Sequence, residues 1–206
     1  GMMFAVARRI PFADATMKQG QWEKKKLEGI ELAGKTLGVI GMGNIGSAVA
    51  QRAAALGMAV IGYDPLVPAD EITRRGAKPV ALEALYTGAD FITIHIPLTP
   101  ESKNMISGQA FGQMKRGVRL IDAARGGVVD ETALLGALES GQVAAAALDV
   151  FASEPPGLTA LVAHPNVIAT PHIGAQTEEA QTRAGDDIAS EVVAALRGEP
   201  LRWKIV

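Results

Sequence analysis

Between Thr36 and Asp64 the chain reads TLGVIGMGNIGSAVAQRAAALGMAVIGYD. That is a short apolar run, a glycine turn, an alanine-rich stretch, a second apolar run and an acid. Thr36 to Ile40 has the length of one buried strand. Gly41-Met42-Gly43-Asn44-Ile45-Gly46 leaves it as a GxGxxG turn. Ser47 to Leu56 is expected to be a helix with Val49 and Leu56 on its apolar side, stopped by Gly57. Met58 to Tyr63 is the second strand. Two parallel strands joined through a helix need a sheet covered on its faces, so the stretch commits the chain to a layered α/β fold.

Each residue type in the turn has a physical task. Gly41 allows a tight exit from the strand. Gly43 has no side chain, so a pyrophosphate can approach the backbone, and Gly46 lets the helix lie close to the sheet. The helix start offers unpaired N–H groups and the positive end of its dipole to that pyrophosphate. Asp64 lies roughly 20 residues beyond the turn, at the end of the second strand, where an acid accepts both ribose hydroxyls. Its charge repels a 2′-phosphate, so the expected cofactor is NAD and not NADP. A GxGxxG alone is weak evidence, but this one follows a strand, opens a helix and reaches an acid at the required distance.

The rest of the chain repeats the alternation. Helices are expected at Asp70 to Arg75, around Leu82, Leu85 and Tyr86, from Ser107 to Met114, from Asp130 to Ser140 and from Thr177 to Leu196. Strands are expected at Asp90 to Ile96, Val118 to Ala123, Val143 to Val150 and Val167 to Thr170, with a minor one near Val80. Six or seven rounds of strand and helix predict a Rossmann-type, doubly wound parallel sheet forming a single domain over 33–197. Met2 to Ile10 reads as a helix ended by Pro11 and lacking a capping residue ahead of it. Phe12 to Leu32 reads as a polar connector holding Trp22 and the charge run Glu23-Lys24-Lys25-Lys26. Trp22 needs something apolar to cover it, either the same subunit or a partner, which leaves 11–32 as a connector or a dimerisation arm. The abrupt first helix suggests that 1–10 is the cut end of a longer chain, with Gly1 a cloning remnant.

Composition closes off several functions. A net charge of −2 gives no reason to expect nucleic acid or an anionic membrane as partner. The chain has no cysteine, which rules out disulfides and thiolate metal sites and fits a reducing compartment, the cytoplasm. No apolar run reaches the length needed to span a bilayer.

In such sheets ligands bind beyond the carboxyl ends of the strands. The residues expected there are the glycine turn, Asp64, His95-Ile96-Pro97, Ala123-Ala124-Arg125, Asp149, Glu154 and His172. Taken singly, a turn histidine or a loop arginine is more often structural than chemical. Together on the edge of a dinucleotide fold they suggest hydride chemistry on a hydroxyacid. Arg125 can bind a carboxylate through two parallel bonds. His172 can take a hydroxyl proton as hydride leaves, and Glu154 can orient that histidine.

These residues carry a resemblance. Gly41 to Gly46, Tyr63-Asp64-Pro65, Ala124-Arg125-Gly126-Gly127, Ala147 to Phe151 with Glu154-Pro155-Pro156, and Pro171-His172-Ile173-Gly174-Ala175 resemble the D-isomer-specific 2-hydroxyacid dehydrogenases, in the family's order. Trp22 with its basic run, Gly38 to Pro65, and Thr177 to Gln181 resemble the phosphoglycerate dehydrogenases within it, which serve serine synthesis. The resemblance implies catalysis by Arg125, Glu154 and His172. It implies NAD contacts from Gly41, Gly43, Asn44, Ile45, Gly46, Tyr63, Asp64, Pro65, His95, Ile96, Pro97, Ala123, Ala124, Arg125, Asp149, His172, Gly174 and Ala175. Asp122 stands where asparagine is expected, and Ile96 where threonine is common. The resemblance also implies a second domain that closes over the substrate, to which the tail 198–206 would return, and a homodimer formed through the cofactor domain. A glyoxylate- or hydroxypyruvate-type reductase and a non-catalytic, NAD-dependent dimerising corepressor share the same motifs.

Overall fold

A computed structural model describes residues 1–202. It divides into two compact units, the first Gly1–Pro171 and the second beginning at His172. In chain order the first unit holds α1 (Met2–Arg8), α2 (Ile10–Lys18), a 3-10 turn (Lys24–Lys26), β1 (Thr36–Ile40), α3 (Asn44–Ala55), β2 (Ala59–Tyr63), α4 (Ala69–Arg74) and β3 (Lys78–Pro79). There follow α5 (Leu82–Gly88), β4 (Phe91–Ile94), α6 (Gly108–Gln113), β5 (Val118–Asp122), α7 (Glu131–Glu139), β6 (Val143–Leu148) and β7 (Val167–Ala169). The second unit contains α8 (Glu178–Arg197).

The seven strands form one sheet in the order β3-β2-β1-β4-β5-β6-β7, and every pairing is parallel. From β1 the chain winds outward to β3, then returns to lay β4 on the other side of β1. The reversal lies between β1 and β4, where doubly wound sheets bind their ligands.

Alternation along the strands supplies two cores. Leu37, Val39, Phe91, Ile121 and Ala147 face a cluster with α1, α3 and α4. Ile40, Ile92, Ile94, Leu120, Ala146 and Leu148 face the opposite cluster with α5, α6 and α7. Leu37, Ile40, Phe91 and Ile92 are fully buried, each stabilising the fold by about 2–3 kcal/mol. Buried on both faces, these strands read as continuous apolar runs.

Three expectations need correction. The helix from Met2 breaks at Arg9 in left-handed geometry, and Pro11 lies in the first turn of α2 instead of ending α1. Proline has no N–H to lose there and its φ suits a helix start. Half of the supposed connector is therefore helical. Second, α3 begins at Asn44, and it meets the sheet through Gly46, Ala50 and Ala53, whereas Leu56 is 38% exposed. Third, β4, β5 and β6 each end before the expected residue, at Ile94, Asp122 and Leu148, so His95, Ala123 and Asp149 lie just beyond the strands.

The N-cap reading of α7 holds: Asp130 accepts from the Ala133 N–H at 3.0 Å. In the second unit Thr177 caps α8 in the same way, accepting from Ala180 at 3.1 Å. Of the tail 198–206, Trp203, Lys204, Ile205 and Val206 lie outside the described residues.

Candidate functional site

The register aligns one row across the sheet. Ile40 pairs with Tyr63 and with Ile94, Ile94 with Asp122, Asp122 with Leu148, and Leu148 with Ala169. Each next residue, Gly41, Asp64, His95, Ala123, Asp149 and Thr170, leaves the sheet at its carboxyl edge. Neighbours in such a row are about 5 Å apart.

At the switch point the glycine turn is tightly held. A Cβ on Gly41 would lie 2.5 Å from the His95 carbonyl oxygen, and one on Gly46 would lie 1.9 Å from the Gly41 oxygen. Around Gly43 there is open space. Gly43 is also the N-cap of α3 and supplies no capping side chain, so the helix start presents its N–H groups to that space, flanked by the exposed Asn44 and Ile45. Tight packing at two glycines and openness at the third is what a pyrophosphate needs.

Asp64 lies at the expected place and has a further task. Its Oδ2 accepts from the Met42 N–H at 2.8 Å and its Oδ1 from the Leu66 N–H at 2.9 Å. The acid thus ties the end of β2 to the turn, and each oxygen keeps a lone pair for a ribose hydroxyl. Tyr63 is half-buried and its carbonyl accepts from the Gly41 N–H. Pro65 is exposed.

His95 and Ile96 are half-buried, and Pro97 is exposed. The His95 N–H continues the β1 ladder to the Ile40 carbonyl at 2.7 Å, and its Nε2 lies 2.9 Å from the Thr93 hydroxyl. Burial pushes the imidazole down to about 4, so it is neutral at physiological pH.

Arg125 is exposed, and its Nη1 donates to the Ala124 carbonyl at 2.6 Å. Ala123 is half-buried and Ala124 buried. Beneath this turn Asp122 is 2% exposed, with Oδ1 accepting from the Ala124 N–H at 3.0 Å. Burial pushes its carboxyl up to about 7, opposed by that hydrogen bond and aided by Glu131. Gly126 packs on Phe151, where a Cβ would overlap the carbonyl oxygen at 1.8 Å.

Asp149 is 2% exposed and accepts from the Thr170 hydroxyl at 2.5 Å. Glu154 is exposed, and its Oε1 accepts from the Phe151 N–H at 3.1 Å. His172 opens the second unit in left-handed backbone geometry at φ 53°, followed by the exposed Gly174 and Ala175. The Ala175 carbonyl there accepts from Gln181.

Two side chains at the turn escaped the sequence reading. Arg75 donates to the Met42 carbonyl, and Glu71 holds Arg75. The only cue was the Glu-x-x-x-Arg spacing on a short helix, which by itself means a surface ion pair.

Fold and edge together define a dinucleotide-binding domain of the doubly wound class. The chain belongs to a particular family: residues 1–174 match the model of the D-isomer specific 2-hydroxyacid dehydrogenase, NAD binding domain. Its cofactor is accordingly NAD. It is 50% identical over 201 residues to a D-3-phosphoglycerate dehydrogenase of Homo sapiens and 49% identical over 200 residues to one of Methanocaldococcus jannaschii. These alignments cover 98% and 97% of the chain but 38% of each relative, so the chain spans well under half their length. Among solved structures it is similar to a glyoxylate reductase from Paecilomyes thermophila, with TM-score 0.91 and 34% identity over 97% of this chain and 61% of that one. It is also similar to a D-lactate dehydrogenase from Aquifex aeolicus complexed with NAD and lactic acid, with TM-score 0.87 and 32% identity over 96% of this chain and 64% of that one. No helix among the described residues is long and apolar enough to cross a membrane.

Proposed function

We propose that the chain is the cofactor domain of an enzyme that oxidises 3-phosphoglycerate to 3-phosphohydroxypyruvate, the reaction that opens serine synthesis. The observation that carries this reading is the identity of 49–51% with several D-3-phosphoglycerate dehydrogenases across nearly the whole chain. Relatives named for lactate or glyoxylate stand at 30–34%.

When held at this edge, NAD would supply the hydride acceptor for oxidation of the hydroxyl-bearing carbon, or the hydride for the reverse reduction. The chain's residues do the rest. The Gly43 space and the start of α3 receive the pyrophosphate, and Asp64 receives the ribose. Arg125, exposed on a glycine-rich turn, takes the substrate carboxylate through its planar fork. His172 is the acceptor for the hydroxyl proton, and Glu154 is the acidic residue of the same set. Asp149, buried with its hydroxyl partner Thr170, shapes the nicotinamide end.

Substrate positioning and water exclusion are assigned to the part of the relatives that this chain does not cover. The isolated chain therefore binds NAD and turns over slowly. Mixing it with NAD and 3-phosphoglycerate should give a slow rise in NADH absorbance that His172→Gln abolishes. A rate close to that of a full-length relative would contradict this division of labour. Oxidation of glycolate in preference to 3-phosphoglycerate would favour a second reading, a glyoxylate-type reductase like the similar structure from Paecilomyes thermophila at 34% identity.

A further inference from the structure

Met42, in the middle of the glycine turn, is gripped from two sides. Its N–H goes to the Asp64 carboxylate at 2.8 Å. Its carbonyl accepts from Arg75 Nη1 at 2.5 Å, a contact reaching back 33 residues, and from the Ser47 hydroxyl at 3.0 Å. Arg75 is itself aimed: its Nε donates to Glu71 Oε1 at 2.6 Å, one turn back along α4. The Arg75 hydrogen bond is the largest influence holding the Glu71 carboxyl below the usual range, and Arg74 pairs with the same carboxylate. The Met42 side chain is fully buried and packs beside Gly62, where an added Cβ would meet its sulfur at 3.0 Å. Met42 is thus an anchor, and its two peptide groups report to one acid and one cation.

This places a guanidinium on the same turn residue as the ribose acid. A guanidinium has five N–H donors. Two are engaged in these bonds, which leaves a planar face that suits phosphate oxygens. In dinucleotide folds the ribose acid selects an unphosphorylated ribose, and a nearby arginine accommodates a 2′-phosphate. Here Asp64 and Arg75 hold the two ends of one turn residue, the acid at the Met42 N–H and the cation at its carbonyl.

Resting on the NAD reading of the turn, we propose that Arg75, oriented by Glu71, is a second specificity residue of the dinucleotide site. It positions the turn for the ribose that Asp64 receives, and it becomes the cation for a ribose 2′-phosphate once Asp64 loses its charge.

Calorimetric titration with NADH and NADPH tests this on the unaltered chain, Arg75→Ala, Arg75→Lys, Asp64→Asn and the double variant Asp64→Asn with Arg75→Ala. Asn has one oxygen for the two N–H groups that Asp64 accepts, from Met42 and Leu66, so the Tm of Asp64→Asn is measured alongside to separate loss of charge from loss of the turn. Arg75→Ala should weaken NADH about tenfold, and Arg75→Lys should recover part of the loss. Asp64→Asn should admit NADPH, and adding Arg75→Ala should then weaken NADPH at least about tenfold more than it weakens NADH. The NADPH gain should shrink as salt is raised. A merely structural strut would lower Tm and weaken both nucleotides equally. That result, or unchanged NADH affinity in Arg75→Ala, overturns the proposal alone. No NADH binding by the unaltered chain overturns the cofactor reading with it.

Discussion

Asp122 and His95 lie at the carboxyl ends of the neighbouring strands β5 and β4 and titrate in opposite senses. Asp122 is pushed up to about 7 by burial, against an ordinary 3.8. The folded chain therefore holds a proton that the unfolded chain gives up. Its ionisation costs nothing below the unfolded value, and the cost grows as pH rises through the window to about 7. Asn at this position keeps an oxygen for the Ala124 N–H and carries no charge. Asp122→Asn should raise stability by roughly 2–4 kcal/mol at about pH 8 and by little at about pH 4. Chemical denaturation at the two pH values checks this, and equal effects at both would contradict it. His95, pushed down to about 4 from 6.5, does the reverse. Its stabilising neutrality is present above 6.5 and is lost as pH falls towards 4. An NMR titration should find its ring unprotonated down to about pH 5. Neither shift was legible in the sequence. Asp122 stood out only as a charge where asparagine was expected, and its burial depends on β6 and α7 closing over it.

At the scale of elements, the glycine turn separates folding from binding. Gly46 has no room for a Cβ, which would lie 1.9 Å from the Gly41 oxygen, while Gly43 opens on empty space. Gly46→Ala should destabilise by about 3 kcal/mol or more through backbone overlap. Gly43→Ala should leave Tm within a few degrees yet weaken NADH at least about tenfold, because the methyl group occupies the pyrophosphate's approach. Thermal melts and calorimetry on the two variants distinguish these outcomes; loss of binding without loss of stability in Gly46→Ala would contradict the packing argument. The turn was legible because each glycine answers a steric demand. The face of α3 was legible only in part: Val49 packs against the core as read, but Gly46, Ala50 and Ala53 approach the sheet closely because they are small, and Leu56, selected by hydropathy, is 38% exposed. Pro11 was misread for a related reason, since proline marks a helix start as readily as a helix end.

For the whole molecule, the strand–helix alternation made the parallel sheet legible, and the switch point followed from the position of the glycine turn. What alternation cannot carry is contact at long range. Arg75 meets Met42, and Thr170 meets Asp149, with no periodic signal between them. The apolar surface near the start of the chain belongs to this scale. Phe4, Ile10 and Met17 line one groove, and Trp22 is 79% exposed. Such a patch marks an interaction surface, and the expected occupant is a second copy in a two-fold dimer. Light scattering at micromolar concentration should give twice the chain mass, and Met17→Glu should reduce it to the single mass. A monomer in the unaltered chain would contradict the dimer.

We read the edge built by Gly41 to Gly46 and Asp64 as a self-sufficient site for NAD. Calorimetric titration of the purified chain with NADH tests it most directly. Saturable binding is expected, with clearly weaker binding of NADPH and loss of NADH binding in Asp64→Ala. Equal affinity for the two nucleotides, or NADH binding that survives Asp64→Ala unchanged, would contradict it.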